Sequence, residues 1–500
     1  MAKAALAPLP QCRPPPLSAP PPLDAKHPFT EVKAAAPMPA GLADWASEVQ
    51  DPPASPARQY PVGLPIGRVS MGSMDERMAG GPKRISGWKL VGLIAMVLAV
   101  LLLSYALYVH GVANRRWADM QRSVEELRSQ CDLRNGPRPV LRGTAVPGNA
   151  WEDYSPALAT MKSAPTGVLG EYVTRSPKAD RKKLELALAT HGTALDGLRK
   201  GAIRASGIYR VKWEEGFSAD IPGLLQSQNL ANLAVCRSRL LIEEGKPREA
   251  AELLLDTCQF ARDLGYNQMI IAEMISIAIG GIALEELHDL ILSNKLSRAD
   301  LAEIACELEI LDGSFPQSGH SMMNEVMMAG YTFLKSGGSL QDLDSWTGGG
   351  PNWDYFMWRA AFPQRLICTQ SYFVELEYMN RFVAADGQSW GVSEAVGLHS
   401  EAEVAKLKNP ISRMLIPGLV GANRAGRERR TQLRLLRAAA QYQATGEMPE
   451  LADPFGGKLL SSNQGQKVKV WSVGRDRVDN GGKGGWKPNA GPDIVLEFDR

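Results

Sequence analysis

The chain has 500 residues, 44% hydrophobic and 22% charged, with a formal net charge of +2. That is globular composition, and the near balance of charge excludes a general electrostatic case for a nucleic-acid partner. The average hides an asymmetry, because roughly half of the 34 prolines lie before Gly67.

Residues 1–82 form a Pro/Ala-rich arm. Its stretch QCRPPPLSAPPPL (Gln11 to Leu23) suits neither a helix interior nor a sheet ladder, since proline lacks the N–H. The arm holds too little apolar surface to offset its ordering entropy, and disorder is expected. It reads as a tether or as a proline-rich ligand for a partner domain. Met71, Met74 and Met78 lie just ahead of Lys83, Arg84 and Lys89, so translation starting there would leave a secretory signal, with Ser104-Tyr105-Ala106 as a small-x-small cleavage site.

Residues 88–110 are expected to be a transmembrane helix. Leu90 to Val109 carries no charged side chain, and at about 1.5 Å per residue its roughly twenty residues span about 30 Å, the hydrocarbon thickness of a bilayer. The run exceeds the about 7–15 residues of a signal-peptide core, which favours an anchor over a cleaved signal. Lys83, Arg84 and Lys89 before it are nearly balanced by Arg115, Arg116, Arg122 and Arg128 after it, so flanking charge does not set the orientation. A single early span before a long body is the signal-anchor arrangement. With an arm composition that suggests a high-GC bacterium, the expectation is an inner-membrane protein with a periplasmic body. Cys131, Cys236, Cys258, Cys306 and Cys368 follow the span with no CxxC. Four of them sit in helical patterns as small apolar residues, and Cys236 and Cys258 are spaced to face each other across a helical hairpin.

Residues 111–131 continue as a polar helix, a stalk on which Glu125 and Arg128 are spaced to pair. RNGPRPVLRGTAVPG breaks it. The body, residues 149–408, reads as helical. Asn149 with Glu152 resembles a capping box, and Ser176-Pro177 has the chemistry of a helix start. Leu230, Leu233, Ala234, Leu240 and Leu241 mark one helix. Ala250, Ala251, Leu254, Leu255, Cys258 and Ala261 mark the next, across EEGKPREA. The unit from Asn229 to Asp263 resembles a tetratricopeptide-type hairpin in length and in its Gly-x-x-x-x-Ala-Ala turn. Ile270 to Leu292 and Leu301 to Leu311, the latter capped by Ser297 with Asp300, make a second pair. A stack of α-hairpins, solenoid-like, is the resulting expectation. Asp312 to Gly350 is looser, Trp353, Tyr355, Phe356, Trp358 and Phe362 form an aromatic cluster, and Leu366 to Ala384 is another helix.

Little in the body spells out chemistry. Glu285-x-x-His288 places a carboxylate and an imidazole on one helix face, but a di-iron site needs two such pairs and two further glutamates. HExxH, GxSxG and P-loop motifs do not occur, and the histidines are scattered. Met322, Met323, Met327 and Met328 fit a packing face better than a soft-metal cluster.

Residues 409–500 differ. Asn409 to Ala444 reads as a helix that turns strongly basic and stops at Thr445-Gly446. A strand at Lys467 to Val473, a Gly/Asp-rich loop and a last strand at Ile494 to Phe498 follow. Asp453-Pro454-Phe455-Gly456, then Ser472-Val473-Gly474-Arg475-Asp476, Gly481-Gly482 and Asp493-Ile494 resemble, in this order, the head of the major pseudopilins of type II secretion. The family's N-terminal processing site and methylated helix have no counterpart here. The resemblance implies a loop that holds calcium, with Asp476, Asp479 and Asp493 as the ligands. Arg475, Arg477, Lys483 and Lys487 oppose a cation there, and a metal-free loop braced by Asp–Arg pairs is the competing expectation. Apart from that calcium, no cofactor is expected.

The fold expected is therefore mainly α: a single transmembrane helix, a solenoid-like body of α-helical hairpins, and a small C-terminal helix-plus-β-hairpin module. The expected role is a membrane-anchored binding or scaffold component of the cell envelope, auxiliary to a secretion or pilus-like system, with protein partners on the helical body. The alternative is an envelope hydrolase or metalloenzyme with its site assembled between the helices.

Overall fold

The computed structural model describes residues 87–316, 318–339, 363–416 and 418–499. The proline-rich arm at 1–82 and the aromatic cluster from Trp353 to Phe362 lie outside the described residues. The chain divides into two units, His27–Arg116 and a second containing Trp117–Arg500. Helix is the main element of the described residues.

In the first unit, described from residue 87, the chain is helical. The helix α1 (Gly87–Leu133) begins here, and it is the one helix among the described residues long and apolar enough to cross a membrane. Leu90, Leu98, Leu102 and Leu107 are about half exposed or more.

In the second unit, the last turns of α1 are not a free stalk. Trp117, Met120, Val124, Leu127 and Cys131 are buried in a core, because they recur at three- and four-residue spacing beneath a charged outer face. After α1 come β1 (Val146–Asn149), α2 (Trp151–Thr160), α3 (Thr166–Val173), α4 (Arg181–His191), α5 (Thr193–Ala202) and β2 (Arg204–Ser206). Strands β1 and β2 pair in parallel. Asn149 does not cap α2 as a box. Its Oδ1 accepts from Trp151 N at 3.1 Å, and Ala150 holds the N-cap position. Ser176-Pro177 does not open a helix either; Asp180 caps α4 by accepting from the Lys182 and Lys183 N–H groups.

Next come α6 (Leu224–Glu243), α7 (Pro247–Gly265), α8 (Ile270–Leu292) and α9 (Arg298–Ser314). Helix α7 starts with proline at its first position, where the missing N–H costs nothing. Ser297 and Asp300 complete a reciprocal capping box on α9. Cys131, Cys236, Cys258 and Cys368 are free and buried.

Then follow α10 (Ser318–Lys335), α11 (Gln364–Asp386), α12 (Trp390–Lys406), α13 (Pro410–Leu415) and α14 (Leu419–Thr445). Of the stretch Asp312 to Gly350, the described residues are largely helical, and 340–350 lie outside them. Met322, Met323, Met327 and Met328 of α10 are buried in the core that holds the end of α1, as a packing face. The basic helix expected from Asn409 is two helices. Asn409 caps the first by accepting from Ile411 N and Ser412 N, and Gly446, in the left-handed region at φ 82°, ends the second.

The tail is not a separate module. Leu433, Leu435, Leu436, Ala439 and Tyr442 of α14 share one core with Leu254, Leu287 and Leu308 of the body. A four-stranded sheet of order β3-β4-β6-β5 belongs to the same core: β3 (Leu460–Gln464), β4 (Lys467–Ser472), β5 (Gly484–Gly485) and β6 (Asp493–Asp499). Strands β3, β4 and β6 are antiparallel and β5 joins β6 in parallel. Val468 opposes Phe498 and Val470 opposes Leu496, and these four are buried. Phe498 meets Tyr442 of α14 edge-on at 5.7 Å.

The core around α10 and α11 also buries carboxyl groups. Glu375 is 1% exposed, and its Oε2 has no hydrogen-bond partner. Burial pushes it well above the usual carboxylate range, and the neighbouring Glu325 pushes the same way. Burial raises Glu325 to about 7, against the hydrogen bond it accepts from Ile270 N. Burial lowers His320 to about 4, with Arg134 adding to the effect. A carboxyl raised in the folded state contributes stability that is complete below its unfolded value near 4.5 and is lost as pH rises toward the folded value. A lowered histidine contributes stability that is lost only as pH falls below about 6.5. Between pH 8 and pH 6.5 the carboxyls therefore set the slope. The melting temperature should rise on acidification across this window, and Glu375→Gln should raise it at pH 8 and flatten the dependence, as followed by thermal denaturation.

Candidate functional site

A cavity of about 380 Å³ opens where four separate segments of the second unit meet. The end of α1 supplies Arg128 and Asp132, the end of β1 supplies Asn149, the end of β2 and the segment after it supply Ser206, Arg210 and Trp213, and the α7–α8 connection supplies Asn267. The sequence carries no motif for this assembly. Its one local signal is the run Tyr209-Arg210-Val211-Lys212-Trp213, which alternates apolar or aromatic residues with cations outside any helical pattern.

Amides hold the cavity in shape. Asn267 sits in the left-handed region at φ 56°. Its Nδ2 donates to Cys131 O at 2.9 Å and to Asn135 Oδ1 at 2.7 Å. Its Oδ1 accepts from Arg134 Nε at 3.1 Å and from Asn324 Nδ2 at 3.3 Å. Asn149 Nδ2 donates to Ile208 O at 2.8 Å. Burial lowers Arg134, and burial raises the Cys131 thiol against the pull of Arg134. A thiol held protonated is a poor nucleophile, so Cys131 serves as wall.

Charge on the wall is uneven. Arg128 Nε donates to Asp132 Oδ2 at 3.0 Å, and Asp132 Oδ1 accepts from Asn135 Nδ2 at 3.4 Å. Arg128 Nη1 is buried without a hydrogen bond, 3.6 Å from Glu214. Arg210 is exposed.

The three loop acids are placed differently. Asp493 is fully buried, and its Oδ2 accepts from Lys483 N at 3.0 Å and its Oδ1 from Asn480 N at 3.5 Å. Asp479 Oδ1 accepts from Gly481 N at 2.9 Å and from Trp471 Nε1 at 3.0 Å. Asp476 accepts from Val478 N at 3.0 Å and from Asn480 Nδ2 at 3.1 Å. Asp476 and Asp479 close their own turns and Asp493 ties down the loop across ten or more residues, and among the described residues no three His, Cys, Asp or Glu side chains are grouped to hold a metal ion. Bracing by Asp–Arg pairs is not what is found either. Arg475 donates to Asn489 Oδ1, and Lys487 pairs with Glu285 at 2.9 Å.

That ion pair also resolves the Glu285–His288 pattern. His288 stacks on Trp486 at 4.6 Å, and its Nδ1 lies 2.9 Å from Asp289 Oδ1. The two side chains of α8 thus fasten the C-terminal loop.

Asp453 is the hub of that loop. Its Oδ1 accepts from Phe455 N at 2.9 Å and from Ser472 Oγ at 2.8 Å, and its Oδ2 from Val473 N at 2.9 Å. Phe455 meets Trp390 of α12 at 5.6 Å, and Trp390 Nε1 donates to Arg475 O at 3.1 Å. Gly474, at φ 64°, passes so close to Pro492 O that a Cβ would stand 2.2 Å from it.

Comparison with protein-family models, curated proteins and solved structures finds no match to the chain.

Two outcomes test the loop. Asp453→Ala orphans three buried donors and should cost about 3 kcal/mol by denaturant unfolding. Exchange of 1 mM calcium for a chelator should leave the melting temperature unchanged, whereas a calcium-dependent rise would restore the loop as a cation site.

Proposed function

We propose that the chain is a single-pass protein of a bacterial inner membrane, anchored by α1, with the unit after the span in the periplasm as a binding or scaffold component of the envelope. The observation that carries this reading is the exposed apolar face of α1. An 18-residue window there has a mean hydropathy of 2.7 and none of it is buried. Twelve or more exposed aliphatic side chains on all sides of one helix are not stable against water, and a bilayer is the solvent that accommodates them without exposing backbone polar groups.

The partner-binding role rests on the run α6 to α9. These helices are read as two successive hairpins, the first tetratricopeptide-like in length, and stacked hairpins are a class of element that binds other chains. The tail's resemblance to pseudopilin heads supports an auxiliary role in a secretion or pilus-like assembly as the setting.

Alkaline carbonate extraction of cell membranes should leave the full-length chain in the pellet. A C-terminal alkaline phosphatase fusion should be active and a C-terminal green fluorescent fusion dark. A soluble product beginning just after Ala106 would overturn the anchor, and the opposite reporter pattern would overturn the orientation.

A further inference from the structure

We infer that the cavity between the end of α1 and the segment Ser206–Trp213 is a binding site for a carboxylate group, carried by a small organic acid or by an acidic side chain of a peptide. This site is independent of the membrane reading, since all of its walls belong to the second unit.

The wall's polar groups divide into used and unused. The amides of Asn149 and Asn267 are engaged within the protein on both their oxygen and nitrogen sides. Asp132, the one acid on the wall, has both oxygens occupied by Arg128 and Asn135. The groups left without a hydrogen bond among the described residues are donors: Arg128 Nη1, the Arg210 guanidinium, the Ser206 hydroxyl and the Trp213 indole N–H. A set of unused donors calls for an acceptor.

Charge narrows the class. Two guanidinium groups face one carboxylate on the wall and Glu214 beside it, so only the single charge held by Glu214 is open to exchange, which suits a monoanion better than a dianionic phosphate. Guanidinium forks match carboxylate geometry. Volume narrows it further, since about 380 Å³ exceeds what a bare inorganic anion fills and lies at the lower end of organic-ligand pockets, about 300–1,000 Å³. Glu214 is the competitor in place. It is largely exposed and stands 3.6 Å from Arg128 Nη1, a long pair that an incoming carboxylate displaces.

Calorimetric titration and thermal shift of the full chain in detergent micelles test this, with butyrate, acetyl-Ala-Glu-Ala-amide, its neutral counterpart acetyl-Ala-Gln-Ala-amide, and inorganic phosphate as probes. At least one carboxylate probe should bind and raise the melting temperature, and the tighter of the two identifies the source. Arg210→Gln should weaken that binding by about fivefold, the scale of one exposed charge interaction. Glu214→Gln should tighten it by a similar factor. Both positions are exposed, so folding is expected to persist, and unchanged melting temperatures of the unliganded variants check that. Absence of binding by both carboxylates overturns the site. So does equal binding of the neutral peptide or of phosphate, or binding that neither substitution changes.

Discussion

The structure of the second unit depends on arginine side chains that reach the carbonyl ends of helices belonging to other segments. The last carbonyls of an α-helix have no partner within it and carry its negative dipole end. Here they are met by guanidinium groups. Arg239 of α6 donates to Tyr172 O and Val173 O at the end of α3. Arg138 reaches Gly201 O at the end of α5. Arg262 of α7 donates to Ser314 O, and Arg430 of α14 to Phe315 O, at the end of α9. Arg427 takes Asp386 O and Gln388 O at the end of α11, and also Pro454 O in the turn before the sheet. A lysine could not do this, because one ammonium lacks the planar fork that spans two carbonyls.

That constraint explains why α14 lies inside the body. Its arginines look in sequence like a solvated basic face, yet Arg434 pairs with Asp312 at 2.8 Å and Arg437 with Glu309 at 2.8 Å, so α14 and α9 are laced along their length. Arg429 is the costly member. It is 3% exposed, lies against Gly280 and Gly281, donates to Ile277 O, and leaves Nε and Nη1 unsatisfied. Burial lowers it to about 10, with the buried Cys258 thiol pulling the other way. A second buried guanidinium has a real counter-ion: Arg138 meets Asp263 at 2.8 Å, and Asp263 also accepts from Tyr154 and Arg262.

What could be read from the sequence was whatever a few neighbouring residues decide. The bounds of α8, the Ser297–Asp300 box, the Gly446 stop and the two central strands of the tail are of this kind, since capping groups and alternating apolar residues act within one turn or one strand. What could not be read depends on distant partners. Asp180 outcompetes Ser176 as a cap because α4 starts later than its proline suggests. Residues 117–131 look like a polar stalk until α10 and α11 arrive to cover Trp117, Met120 and Val124. Arg128, Ser206, Arg210 and Asn267 are far apart in sequence, and no spacing rule joins them into one cavity. The boundary between body and tail was misplaced for the same reason: helix α14 has its apolar positions answered by Leu287 and Leu308, residues more than a hundred positions earlier.

The closure of the tail onto the helical body rests on Asp453. The two steps that carry it, Asp-Pro-Phe-Gly and Ser-Val-Gly-Arg-Asp, are joined by one carboxylate that binds Phe455 N, Ser472 Oγ and Val473 N. Each residue type in those steps has a local task. The aspartate collects orphaned donors, Gly474 passes a carbonyl that no side chain could approach, and Phe455 fills the space beside Trp390. Such a set is what any chain needs in order to return from a helix into a strand and then turn tightly into a glycine-rich loop. These positions therefore serve to close a helix onto a sheet. In the loop beyond, Asp476, Asp479 and Asp493 each accept from backbone N–H groups. The pairing of Lys487 with Glu285 and the stacking of Trp486 on His288 fasten that loop to α8 and make it a clasp on the helical body.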